Sequence, residues 1–179
     1  MNYAEIKTFD IANGAGVRTS LFVSGCTHHC KECFNQEAWD FNYGNKFDQS
    51  VQDALIEDSR PDYIRGITIL GGEPMEVINQ KTLRPFIERL RRELPDKDIW
   101  VYSGYTYEEL TDPNNTKCHS SDTDPILSMI DVLVDGEFQI AKKDISLRFR
   151  GSSNQRVIDL KGTRKCGHIV LSGYGEREL

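Results

Sequence analysis

The chain has 179 residues, with 22 lysines and arginines against 28 aspartates and glutamates and a net charge of −6. That length suits a single domain over residues 1–179 and excludes a complete eight-fold α/β barrel, which takes about 250 residues. The acidic balance is spread along the chain, which excludes a general nucleic-acid binder, and no apolar run approaches the roughly 20 residues of a membrane span. The opening MNYAEIKTFD carries no signal-peptide pattern, so the expected location is the cytoplasm, where thiols stay reduced. Three of the five cysteines are clustered, which suits metal binding better than a disulfide framework.

Taken in chain order, residues 19–24 (TSLFVS) form a short, apolar, β-rich run ending at Gly25 and Cys26. The spacing of Phe47, Val51, Ala54 and Leu55 predicts a helix with Asp48 as its N-cap. Residues 66–70 (GITIL) read as a buried parallel strand, followed at once by GGEP. Leu83, Phe86, Ile87, Leu90 and Leu94 mark an amphipathic helix, with Pro85 expected in its first turn. A third strand is expected over 98–103, and Thr106 with Glu109 makes a capping box for the helix after it. A turn-rich loop precedes a short helix and a fourth strand over 132–135. RVIDL and HIVLS near the end are weaker strand candidates.

Strands alternating with helices imply parallel pairing, and in such sheets ligands collect at the carboxyl ends of the strands. The cysteine loop, GGE, SGY and DGEF each follow an expected strand end, so the four motifs should share one rim.

Cys26, Cys30 and Cys33 fall in the spacing C-x3-C-x2-C. Three thiolates on one loop can converge on one inorganic cluster. A closed zinc site would want four protein ligands in pairs, and His28 and His29 have no second pair to complement them. A 4Fe-4S cluster usually takes four cysteines, so three leave one iron open to a small molecule. A non-catalytic iron–sulfur or zinc-binding module is the distant alternative. It would call for a further cysteine nearby.

CxxxCxxC after the first strand, with GGEP after the second, resembles the radical S-adenosylmethionine (SAM) enzymes. The lead-in GAGVRTSLFVSGC is similar to that of glycyl-radical-enzyme activases. CKECFN, VYSGYTYEEL, VDGEF and RGSSNQRVIDL look like the activases of the anaerobic (class III) ribonucleotide reductase. The resemblance runs over most of residues 5–162. It implies a partial parallel β/α barrel of radical SAM type with about five to six strands. It also implies a 4Fe-4S cluster on Cys26, Cys30 and Cys33, and SAM chelated to the open iron. In that family the cluster passes one electron to the sulfonium, the C5′–S bond breaks, and the product radical takes hydrogen from a glycine Cα of the partner.

By the same resemblance, Gly71, Gly72 and Glu73 receive the SAM amino group, with Glu32, Cys33 and Phe34 along the adenine. Ser103 and Asp135, at strand ends, are candidates for the ribose or amino group. No catalytic residue beyond cluster and SAM is implied. The implied partners are the large subunit of the anaerobic reductase and a flavodoxin-like electron donor. Pyruvate formate-lyase or another glycyl radical enzyme is the alternative target, although RGSSNQR favours the reductase. Glu32 departs from the aromatic residue often found before the third cysteine in the wider superfamily.

Other residues have plainer readings. His28 and His29 are expected to face solvent or to donate to the cluster surroundings, and Cys118 and Cys166 to be free thiols. Arg150 and Arg156 flank GSSNQ in a loop expected near the mouth of the site, where it would contact SAM or guide the partner's glycine loop. Arg18 is a candidate for holding the N-terminal segment against the rim, and Trp100 and Tyr102 for lining the interior.

Overall fold

The computed structural model describes residues 1–176. Residues 177–179 of the domain expected over 1–179 lie outside the described residues. Seven strands are present: β1 (Asn2–Asp10), β2 (Val17–Val23), β3 (Asn45–Lys46), β4 (Ile64–Gly71), β5 (Asp98–Tyr102), β6 (Val132–Asp135) and β7 (Arg156–Asp159). The helices are α1 (Gln49–Ser59), α2 (Val77–Glu93), α3 (Tyr107–Thr111), α4 (Thr123–Met129) and α5 (Leu160–Cys166).

The strands form one sheet in the order β3-β1-β2-β4-β5-β6-β7. β2, β4, β5 and β6 run parallel, as the alternation of strands and helices implied. The edges do not. β1 pairs antiparallel with β2 and β3, and β7 pairs antiparallel with β6. The expected partial parallel barrel of about five to six strands is therefore corrected to an open, mixed sheet of seven. The physical reason lies in the connections. A parallel return needs a long crossover, usually a helix, whereas β1 reaches β2 through a short loop and the chain between β6 and β7 holds only a 3-10 turn, Ile140–Lys142.

The antiparallel first strand was hidden by a bulge. Tyr3 pairs with Val23 and Ile6 with Leu21, with a register shift between Tyr3 and Glu5. Both Tyr3 and Ile6 therefore pack on the main core, although three residues apart they break the period of two. HIVLS forms only an isolated bridge, between Leu171 and Ile158.

Alternation sorts the central strands onto two faces. Ile67, Ile69, Ile99, Val101 and Leu133 join Leu83, Phe86, Ile87 and Leu90 of α2 in the main core. Each such side chain contributes about 1.5–3 kcal/mol on full burial. Trp100, Val132, Val134 and Val157 face the other way in a smaller cluster, with Tyr102, Phe149 and Tyr174 packed against it. α2 begins at Val77, earlier than its apolar stripe suggested, so Pro85 lies inside it rather than in the first turn. Pro85 has no N–H to offer the Lys81 carbonyl, and both residues lie on the exposed face of the helix. The caps expected at Asp48 and Thr106 are present, the latter as a full capping box with Glu109.

Arg18 is wholly buried near the amino end of β2, away from the rim. Its Nε donates to Thr68 Oγ1 (2.7 Å), Nη1 to Ala15 O (3.0 Å) and Nη2 to Ile67 O (3.0 Å), while Nη2 pairs with Asp98 Oδ1 at 2.5 Å. One side chain thus stitches the β1–β2 loop to β4 and β5. Burial pulls its pKa down and Asp98 resists. Arg18→Met leaves Asp98 with Arg65 as its remaining ion-pair partner among the described residues, so the expected loss sits at the low end for a broken buried pair, about 3 kcal/mol. Urea unfolding of the variant measures it.

Candidate metal and cofactor site

The four parallel strands end on one side, and the four motifs lie at their ends: the cysteine loop after β2, residues 71–73 from the last residue of β4, residues 103–105 after β5 and residues 135–138 from the last residue of β6. Two backbone segments meet closely there. Gly72 N donates to Val23 O (2.7 Å), Glu73 N to Gly25 O (2.8 Å) and Gly25 N to Ala38 O (2.8 Å). A Cβ on Gly72 would stand 2.7 Å from Gly25 O and 2.8 Å from Ala38 O. Glycine at 72 is thus required by the approach of the cysteine loop's own backbone.

Two glutamates pin that loop. Glu73, only 1% exposed, accepts from Met75 N (2.8 Å) through Oε1 and from Gly104 N (2.6 Å) through Oε2, which also lies 3.1 Å from His28 Nε2. Glu76 Oε1 accepts from Thr27 N (2.8 Å) and Thr27 Oγ1 (2.6 Å). His28 packs on the Tyr105 ring with centroids 4.3 Å apart, so it faces the rim rather than solvent. Burial pulls its pKa down, but the Glu73 hydrogen bond and charge outweigh it and hold His28 above its ordinary value. His29 stacks on Trp39.

Cys26 is buried at the root of the loop, and all three clustered cysteines are free thiols. Cys30 and Cys33 open into a cleft of about 450 Å³, beside Glu32 and Phe34. Leu70 and Tyr102 come to that cleft from β4 and β5, and Phe138, Ile145, Phe149 and Arg150 come from the segment before β7. A larger cavity of about 780 Å³ lies beside residues 14–17 and Tyr174 and contains no cysteine, so donor chemistry rather than size marks the smaller one. Burial pushes the Cys26 thiol up to about 12, and burial with Glu137 pushes Cys30 up to about 11. Cys30 Sγ lies 3.6 Å from Glu137 Oε1. Thiols of this kind ligate only when a metal's charge displaces their protons.

Among the described residues no three His, Cys, Asp or Glu side chains form a group that could hold a single metal ion. What fits a cluster is the donor set: three free thiols on one short loop, two of them opening into a cleft. No described helix is long and apolar enough to cross a membrane.

The strand-end candidates divide by parity. Ser103 and Asp135 continue the alternation of Val101 and Leu133, which pack in the main core, and neither lines the cleft. Ser103 Oγ accepts from Tyr105 N (3.1 Å). Asp135 accepts from Tyr107 N (2.7 Å) and holds Arg156 through both oxygens, while Arg156 also reaches Glu108. Burial and the Arg156 contacts therefore make this a fastening of β7 and α3 to β6. The residue that reaches the cleft from β5 is Tyr102, one position earlier. The sequence carried a signal for it: the aromatic pair Trp100 and Tyr102 at a spacing of two. Cys118 is buried, with its Sγ on Glu109 O, and Cys166 is exposed.

Glu73→Gln tests the pinning. An amide can accept through one oxygen only and sets an N–H₂ against a donor, so a loss of about 2 kcal/mol is expected. Thermal unfolding and the iron retained after anaerobic reconstitution should both fall, whereas Glu57→Gln on the exposed face of α1 should change neither.

A family model described as a 4Fe-4S single cluster domain matches residues 12–158. The anaerobic ribonucleoside-triphosphate reductase-activating protein of Haemophilus influenzae is 44% identical over 159 residues, covering 88% of this chain and 97% of the relative. The protein of the same name from Vibrio cholerae is 41% identical, with the same coverage. The one from Escherichia coli is 40% identical over 163 residues, or 90% of this chain and 100% of the relative. With the cysteine loop, the glycine turn and the capped β5–α3 turn in their sequence order within the matched span, the chain belongs to the family of anaerobic ribonucleoside-triphosphate reductase-activating proteins.

Proposed function

We propose that this protein activates the anaerobic ribonucleotide reductase by generating a glycyl radical on it, using a 4Fe-4S cluster and SAM. The observation that carries this reading is the cleft at the ends of the parallel strands, into which Cys30 and Cys33 open beside a buried Cys26. Cys26, Cys30 and Cys33 would hold three irons, leaving the fourth to the amino and carboxylate groups of SAM. When bound, cluster and SAM supply one-electron chemistry: cleavage of the C5′–S bond and removal of a hydrogen atom from a glycine Cα of the reductase.

The chain's own residues bind, orient and shield. Gly71 and Gly72 follow Leu70 of the cleft lining without lining the cleft themselves, and their backbone carbonyls would accept from the ammonium group of SAM. Glu73 keeps the cysteine loop against them through His28, and Glu76 does so through Thr27. Glu32 and Phe34 flank the cleft, and the Phe34 ring, 82% exposed, offers an apolar face to a nucleoside. Ser103 and Asp135 act behind the cleft by fixing the turn after β5 through Tyr105 N and Tyr107 N. An open sheet leaves the cleft accessible to a macromolecule, which suits a substrate that is another protein's backbone. The low-potential electron would come from a flavodoxin-like donor in the cytoplasm.

The test is anaerobic. The protein is reconstituted with iron and sulfide, reduced, and given SAM and the reductase, with Cys30→Ala in parallel. The wild type should form 5′-deoxyadenosine and a glycyl radical visible by electron paramagnetic resonance, and the variant neither. A protein that holds one zinc, or a fully reduced cluster that never cleaves SAM, overturns the proposal.

A further inference from the structure

Two hydrogen-bond donors in the cleft have nothing to bond. The Tyr102 hydroxyl and the Arg150 Nε are buried, and among the described residues neither has a hydrogen-bond partner. Both residues line the cleft that holds Cys30 and Cys33. An unpaired buried polar atom costs about 1–3 kcal/mol, so two in one cleft mark a place where a ligand supplies acceptors.

Both donors are held in position. Arg150 Nη1 donates to Gln155 O (3.0 Å) and Nη2 to Gly175 O (3.4 Å), which fixes the plane carrying Nε. The Tyr102 ring packs on the cluster of Trp100, Val134 and Val157. Burial pushes its phenol up, so the hydroxyl stays protonated and can donate. Leu70, Leu147 and Phe149 give the cleft apolar lining, and Asn13, Lys143, Asp144 and Gln155 give it polar lining.

Resting on the activase reading above, we propose that Tyr102 and Arg150 bind backbone carbonyls of the extended, glycine-bearing segment of the reductase. Unpartnered donors beside Leu70, Leu147 and Phe149 match a segment whose polar groups are amide oxygens. Glycine at the attacked position carries no side chain to hold its backbone away from them. Within the cleft, the groups suited to the cofactor belong to the cysteine loop: Cys30, Glu32, Cys33 and Phe34. Tyr102 and Arg150 come instead from β5 and the segment before β7. The same cleft would thus read cofactor and partner through different elements.

Tyr102→Phe removes one oxygen and keeps the ring. Three quantities are measured on the reconstituted protein: the unfolding midpoint, the SAM dissociation constant by equilibrium dialysis, and glycyl radical yield against reductase concentration. The half-saturating reductase concentration should rise about tenfold, the worth of one hydrogen bond, with SAM affinity unchanged and the midpoint equal or higher. Arg150→Lys, which keeps the charge and loses Nε, should raise the same concentration. A fall in SAM affinity with an unchanged reductase requirement assigns the hydroxyl to the nucleoside and overturns the proposal. So does a lowered midpoint, which marks a structural role, or no change in any quantity. Failure of the wild type to form any radical would instead overturn the activase reading itself.

Discussion

The carboxylate of Glu73 accepts from Met75 N and Gly104 N and meets His28, groups that belong to three separate segments of the chain. A charge that is 1% exposed is tolerable only with such partners, because an unpaired buried carboxylate costs several kcal/mol. Burying Glu73 therefore obliges the cysteine loop, the turn after β4 and the turn after β5 to assemble around it. The glycines follow from that assembly. A Cβ on Gly104 would stand 2.6 Å from His28 Nε2, and one on Gly72 would meet the backbone of the cysteine loop. The GGE and SGY motifs are in this sense a socket for the loop that carries the thiols.

Beneath the socket, the four parallel strands bring their carboxyl ends to one side, and the antiparallel edges leave the sheet unclosed. Each edge has its own fastening. Arg18 joins the β1–β2 loop to β4 and β5 from within the fold. Arg156, held by Asp135 and Glu108, joins β7 and α3 to the end of β6. The segment between β6 and β7 then contributes Phe138, Ile145, Phe149 and Arg150 to the cleft. A closed barrel would surround its ligand with strands. Here a loop supplies part of the enclosure of the cleft.

Much of this was legible in the residues. The spacing of Cys26, Cys30 and Cys33, the continuous apolar run of β4, and the caps at Asp48 and Thr106 are local patterns, so the sequence alone determined where the thiols, the central strands and several helix starts lie. It also determined the shared rim, because strands linked by helices must return parallel. Tertiary structure decided the rest. The direction of β1 and β7 depends on pairing between distant segments, and the bulge after Tyr3 erased the alternation that would have announced β1. The face on which a strand-end residue lies turns on a single position. A period of two gave the cleft to Tyr102 and set Ser103 and Asp135 behind it, a choice made by which face of the sheet the helices cover.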